Sequence, residues 1–181
     1  VRVLGRAVAV CLRRVCFLLL CAELWLGATG GAVAQAGLVG RVVGVSDGDT
    51  LTVLDDAKRQ HKMRLSGIDA PESGQAFGNR SKQSLSDCAF GKHATVIGDK
   101  TDRYGRTVAR VMVGAVDCNL RQIELGMAWH YKKYENEQPP AERSAYAAAE
   151  LTARAQKRGL WSDLNPMPPW DWRNGDGPGT Q

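Results

Sequence analysis

Three short segments of this chain supply, between them, carboxylates and arginines near strand ends and turns. They are residues 47–50 (DGDT), residues 64–72 (RLSGIDAPE) and residues 102–106 (DRYGR). Carboxylate oxygens are the ligands that hard divalent cations such as Ca²⁺ prefer. A pair of arginines can hold a phosphate group through charge-assisted hydrogen bonds. Together the residue types indicate metal-assisted hydrolysis of a phosphodiester.

Three of the carboxylates and one arginine could take part directly in this chemistry. Asp49 and Asp69 could supply two carboxylates to a cation, and Glu72 could accept a proton from water. Pro71 interrupts the strand that carries Asp69, so Glu72 is projected into a loop. Arg64 lies between two apolar residues of a strand, where an arginine must face solvent or a partner.

Most other charged residues need no chemical role. Asp47 is expected to accept hydrogen bonds within its turn. Thr50 either hydrogen-bonds Asp49 or supports the metal site, and the sequence leaves both open. Surface ion pairs, which contribute little stability, are expected for Asp55, Asp56, Lys58 and Glu150.

The elements that must position these residues are short strands with a few helices. Five segments have strand composition, bounded by turn residues: LVGRVVGVS, DTLTVLD, HKMRLSGID, KHATVIGDKT and RTVARVMVG. Helices are predicted at about 77–89 before Gly91, within 117–128 before Gly126, and within 139–159 after paired prolines. Clustered strands exclude a doubly wound α/β sheet and favour a small β-barrel with packed helices, a mainly β member of the α+β class.

The first 36 residues have the composition of a secretory signal peptide. Four arginines precede a short apolar stretch, and small-residue sites follow at residues 32–34 and 34–36. This order is typical of a cleaved signal, and the apolar stretch is shorter than the ~20 residues of a membrane span. An uncleaved N-terminal anchor is the alternative. The prediction is a secreted or periplasmic protein.

The net charge gives no independent evidence for a nucleic acid partner. The whole chain carries +5, but the first 36 residues contribute +3 of it, which leaves +2 for the rest. Because a nearly neutral domain has no general attraction for phosphates, such a partner must be argued from placed residues.

Two cysteines, Cys88 and Cys118, lie outside the predicted signal peptide. In an oxidising compartment an even pair favours a single disulfide. Two separate buried thiols are the alternative. Metal binding is not favoured, because the separation of the pair matches no zinc-site spacing.

The three motifs, in this order and with these gaps, resemble the staphylococcal nuclease family. The resemblance covers about residues 39–164, and the ending GLWSDLNPMPPWDWR is similar to secreted bacterial members. It implies an OB-fold, a five-stranded β-barrel with three packed helices, over residues 37–164. Residues 165–181 are then expected to be a Pro/Gly-rich C-terminal tail, with Trp170 and Trp172 holding its start against the domain.

The resemblance also implies roles for individual residues: one Ca²⁺ per active site, a general base, two arginines that stabilise the transition state, and substrate contacts. Ala stands where the best-known member has Thr, but that ligand is a backbone carbonyl, which Ala preserves. The implied residues are Asp49, Asp69 and Ala70 for Ca²⁺, Glu72 as base, Arg64 and Arg106 for the transition state, and Arg103, Tyr104 and Tyr134 for the substrate. Packing at the barrel edge is the alternative for Tyr134.

The resemblance implies a monomeric, secreted, Ca²⁺-dependent endonuclease that acts on DNA, RNA or both and leaves 3′-phosphates, with no stable protein partner. The alternative is a non-catalytic OB-fold module that binds nucleic acid or a protein, since OB-folds also bind without cutting. Such a module is expected to have lost an active-site residue, and none is missing. A glycosidase function would account for paired carboxylates but not for the two arginines.

Overall fold

The computed structural model describes residues 37–175. The predicted signal peptide at residues 1–36 and the end of the predicted tail, residues 176–181, lie outside the described residues. Between residues 37 and 175, none of the helices has both the length and the apolar character needed to cross a membrane.

Five strands of five to nine residues form a closed barrel. The main sheet has the order β3-β2-β1-β5-β6-β7, and a parallel pairing of β3 with β6 closes it. A separate two-stranded sheet joins β4 to β8. The strands are β1 (Leu38–Val45), β2 (Thr50–Leu54), β3 (Gln60–Leu65), β4 (Ile68–Asp69), β5 (His93–Thr101), β6 (Thr107–Val113), β7 (Val116–Asp117) and β8 (Trp129–His130). The OB-like five-stranded barrel predicted from sequence is confirmed.

Four α-helices accompany the barrel in the described part of the chain. The side chain of Asp117 caps the second helix by accepting the N–H of Leu120, and the third begins with a proline, as its sequence predicts. The helices are α1 (Gly78–Ala89), α2 (Cys118–Glu124), α3 (Pro140–Ala155) and α4 (Pro169–Arg173). The first three are the predicted ones, and α4 lies in the segment predicted to be a tail.

The core fills the barrel interior with alternate side chains of its strands, as a half-buried sheet requires. Fully buried examples are Val42, Val53, Met63, Val96 and Val111. A second cluster lies outside this core and consists of Trp129, Ala153, Leu160 and Trp161, with Phe77 and Trp170 packed against it. This second cluster attaches the C-terminal segment to the domain.

Two carboxylates expected at the surface are buried instead, so the expectation of surface ion pairs is wrong for Asp55 and Glu150. They are 7% and 5% exposed. Asp55 lies 2.9 Å from the ring of His61, and this hydrogen bond is the main cause that holds the pKa of Asp55 below its usual range. Glu150 accepts the backbone N–H of His130 and pairs with Lys132. Each buried carboxylate has hydrogen-bond and ion-pair partners.

A disulfide joins Cys88 of α1 to Cys118 of α2, which decides between the two alternatives that the sequence left open. The bond spans 30 residues. We expect the Cys88→Ser/Cys118→Ser variant to lose about 3–4 kcal/mol of unfolding free energy, because its denatured chain is less constrained. Urea unfolding with and without a reductant measures this. A wild-type unfolding midpoint that is the same with and without the reductant would contradict the expectation.

Candidate active site

The DGDT turn is held from both sides. Asp47 accepts the backbone N–H of Asp49 at 3.1 Å, the structural role predicted for it. Gln122 of α2 donates to the carbonyl of Gly48 at 2.7 Å. A Cβ at residue 48 would overlap the hydroxyl of Ser81 on α1. Because only glycine fits against α1, the two helices fix the path of the chain into Asp49.

Asp49 is a buried carboxylate with three nearby donors. It is 6% exposed. Its Oδ2 accepts the N–H of Ala70 at 2.7 Å, and its Oδ1 accepts the hydroxyl of Thr50 at 3.2 Å. Burial raises the pKa of Asp49 to about 7, against the opposing effect of the Arg64 guanidinium 3.1 Å away. These contacts give the carboxylate one orientation.

Arg64 lies between the two predicted calcium carboxylates. It faces Thr50 across the β2–β3 pairing, and its side chain is 15% exposed. Its Nη2 donates to Asp69 Oδ1 at 2.8 Å, while its Nη1 lies 3.1 Å from Asp49 Oδ2. The same Nη1 donates to two backbone carbonyls of the following turn at 2.9–3.0 Å. Arg64 is therefore a fixed cation that contacts both carboxylates and offsets part of their negative charge.

Glu72 lies in the loop after β4, with its side chain 35% exposed. The side chain of Gln75 accepts its backbone N–H at 3.0 Å. Its carboxylate accepts Nη1 of Arg173 at 2.5 Å, and Nη2 of Arg173 donates to Asp69 Oδ2 at 2.7 Å. The predicted base and a predicted calcium ligand thus share one guanidinium.

The DRYGR loop between β5 and β6 brings Arg106 to the same cluster. Asp102 organises the loop by accepting the backbone N–H groups of Tyr104 and Arg106, both at 2.9 Å, and Arg106 Nε at 2.8 Å. Although burial acts to raise it, these hydrogen bonds lower the pKa of Asp102. Arg106 Nη1 donates to the Thr50 hydroxyl at 3.3 Å. Since that hydroxyl donates to Asp49, Arg106 is one residue removed from the carboxylates.

Two of the predicted substrate contacts extend from the Arg106 loop. The ring of Tyr104 is 67% exposed. The guanidinium carbons of Arg103 and Arg106 lie 4.8 and 5.4 Å from its centre, within the range of cation–π attraction. Exposed aromatic and cationic groups of this kind suit a base and a phosphate.

Tyr134 is connected to the site less directly. It is 48% exposed in a short 3₁₀ segment, Lys132–Glu137. Its ring lies 5.6 Å from that of Tyr131. Tyr131 in turn stacks on Trp170 of α4 at 5.7 Å. The aromatic row therefore leads from Tyr134 to the helix that carries Arg173.

The donor set fits a hard cation. Asp49 and Asp69 both contact Arg64, and the backbone N–H of Ala70 donates to Asp49, which places residue 70 beside both carboxylates. Two carboxylates and a carbonyl are oxygen ligands of the kind that Ca²⁺ binds. No group of three or more His, Cys, Asp or Glu residues that could hold a metal occurs between residues 37 and 175. A cation held here would keep several water molecules.

Sequence patterns did not point to Arg173 or Gln75 as site residues. Arg173 lies 104 positions after Asp69, and no spacing rule relates two residues that far apart. The WDWR ending offered a signal only through its family resemblance. Gln75 connects the Glu72 loop to the segment that leads into α4. Its side chain accepts the backbone N–H of Glu72 and donates to the carbonyl of Met167 at 2.8 Å.

Comparison with known proteins gives the family. Residues 62–163 match the model described as staphylococcal nuclease homologue. An uncharacterized endonuclease of Haemophilus influenzae is 44% identical over 133 residues, which are 74% of this chain and 71% of that protein. A micrococcal nuclease of Shigella flexneri is 40% identical over 149 residues, 77% of this chain and 83% of the relative. With this match and the barrel described above, the chain belongs to the staphylococcal nuclease family.

Proposed function

We propose that the protein is a secreted, Ca²⁺-dependent endonuclease that hydrolyses phosphodiesters of DNA, RNA or both and leaves 3′-phosphates. Membership of the family supports an endonuclease acting on nucleic acid. The signal-like composition of the first 36 residues supports secretion. The oxygen ligands of Asp49, Asp69 and Ala70 support Ca²⁺ as the cation.

One observation carries the proposal: residues from three separate segments meet around Arg64. The contacts run from Arg64 to Asp49 and Asp69, and from Asp49 through Thr50 to Arg106. Glu72 is joined to Asp69 by a shared guanidinium. Carboxylates for a cation, a base and a phosphate-binding arginine are thus within one network, as hydrolysis of a phosphodiester requires.

The reaction proceeds from these groups. Glu72 takes a proton from the attacking water, whose oxygen forms a bond to phosphorus. The bond from phosphorus to the 5′ oxygen breaks, and that oxygen takes up a proton from solvent water, which gives a 3′-phosphate and a 5′-hydroxyl. When bound, the cation supplies positive charge beside the phosphate, which favours the more negative transition state.

Arg106 stabilises the same negative charge from the DRYGR loop. Its side-chain hydrogen bonds within the protein use Nε and one N–H of Nη1, and a guanidinium has five N–H donors in all. The remaining donors can bind phosphate oxygens in the paired geometry that arginine favours. Arg64 contributes mainly by fixing Asp49 and Asp69, since its own N–H groups are largely used by these carboxylates and by backbone carbonyls.

Cleavage assays separate this proposal from a binding module. We expect the purified protein to nick supercoiled plasmid or degrade RNA in Ca²⁺ and to do neither in EDTA. Product ends should block primer extension until phosphatase removes the 3′-phosphate. Asp69→Asn is the matched control and should remain inactive in Ca²⁺. Nucleic acid that is retained in a gel shift but never cut would favour the binding module instead.

A further inference from the structure

Arg173 contacts both carboxylates of the site that face α4. It donates to Asp69 Oδ2 at 2.7 Å and Oδ1 at 3.3 Å, and to Glu72 Oε1 at 2.5 Å. Bidentate contacts between arginine and carboxylate are among the stronger polar interactions in proteins. An oxygen of a predicted calcium ligand is therefore already occupied by a positive group of the protein itself.

The position of Arg173 is built into the fold. The side chain of Gln75, which accepts the N–H of Glu72, donates to the carbonyl of Met167, two residues before α4 begins at Pro169. Trp170 packs on Trp129 at 5.4 Å between ring centres. These contacts hold the start of α4 beside the Glu72 loop, so the approach of Arg173 results from the packing of its own helix.

The two guanidiniums that contact Asp69 differ in how firmly they are held. Arg64 lies within β3, is 15% exposed and also donates to two backbone carbonyls. Arg173 lies at the end of a five-residue helix and is 42% exposed, and its side chain is held by the two carboxylates. Of the two, Arg173 can withdraw without breaking a strand.

The charges of the cluster give a reason for Arg173 to withdraw from Asp69 and Glu72 when a cation binds. When Asp49, Asp69 and Glu72 are all ionised, Arg64 and Arg173 leave the cluster with one net negative charge. A divalent cation would turn this into a net positive charge if both arginines stayed. The charges balance when Arg173 leaves. Like charges at short range repel strongly where water is partly excluded.

We propose that Arg173 is a positioning residue that occupies the cation site from within the chain: it holds Asp69 and Glu72 in the metal-free protein and competes with the divalent cation for them. The inference rests on the cation site of the proposed function. Its consequence is that Arg173 lowers cation affinity, and by linkage the cation weakens the hold on Arg173.

Calorimetric titration with Ca²⁺ tests the competition without a cleavage assay. We expect Arg173→Gln to bind Ca²⁺ about tenfold more tightly than the wild type, within the usual range of coupling between sites. Arg173→Lys, which keeps the charge but loses the paired donors, should lie between them. Arg143→Gln is the matched control, since it removes one positive charge from a side chain that contacts Asn136. Its affinity should stay within about twofold of the wild type because of salt screening.

The outcomes separate the inference from the proposal beneath it. Equal or weaker Ca²⁺ binding by Arg173→Gln would overturn the inference. That result is expected if Arg173 has only a structural role, since removing such a residue would not strengthen Ca²⁺ binding. The same tightening in Arg143→Gln would also overturn it, since the effect would then be one of overall charge. No Ca²⁺ binding by any of these proteins would overturn the calcium assignment itself, and the inference with it.

Discussion

Replacing Glu72 with glutamine is expected to lower turnover about 10²–10⁴-fold, the range that a general base contributes. Glutamine keeps the size of the side chain and can still accept the hydrogen bond from Arg173, but it cannot take a proton from water. Because Glu72 is 35% exposed and in a loop, the unfolding free energy should change little. Single-turnover cleavage of a labelled oligonucleotide at saturating Ca²⁺ measures the loss.

Glu124→Gln is the matched control for this variant. Glu124 is an exposed acid at the end of α2, so its neutralisation changes the net charge equally and should leave turnover unchanged. Calcium affinity of Glu72→Gln should remain measurable by calorimetry, which separates loss of the base from loss of the cation. Turnover of Glu72→Gln close to that of Glu124→Gln would remove Glu72 from the mechanism.

Replacing Arg106 with alanine is expected to lower turnover about 10²–10³-fold, the effect of losing one donor to a developing negative charge. The effect on folding should be small, since the side chain is 25% exposed. Asp102, its partner, keeps the two backbone N–H groups that organise the loop. Arg121→Ala, a change of an exposed arginine on α2, is the control. Denaturation curves of both variants, run beside the kinetics, show whether the loss is chemical.

Arg64 is the less informative arginine to replace. Arg64→Ala is also expected to lose turnover by orders of magnitude. However, it would leave Asp49 and Asp69 without their shared cation at a site where both are buried, and breaking a buried ion pair costs about 3–5 kcal/mol of stability. Loss of activity in Arg64→Ala would therefore not show whether the variant lacks transition-state stabilisation or has a disrupted site. Near-normal activity in Arg106→Ala, by contrast, would directly refute its role.

The parts that the sequence predicted are those set by local patterns. Strand alternation and turn residues indicated the five barrel strands, and the three motifs placed Asp49, Asp69 and Arg106 at strand ends. The burial of Glu150 could not be read in this way, because its partner at the backbone of His130 lies 20 residues away. The approach of Arg173 to Asp69 depends on the whole path of the chain after α3, which no local pattern encodes.

The backbones of Gly126 and Gly159 approach so closely that a side chain on either would collide with the backbone beside the other, and the N–H of Leu160 donates to the carbonyl of Gly126 at 2.8 Å. This crossing directs the chain towards α4, whose last residue, Arg173, contacts the carboxylates of the site. An affinity tag fused directly after Arg173 would begin next to the residue whose side chain contacts those carboxylates, and a polyhistidine tag would place metal-binding groups at that point of the chain. Protein engineering of this enzyme should therefore leave its C-terminal side unmodified.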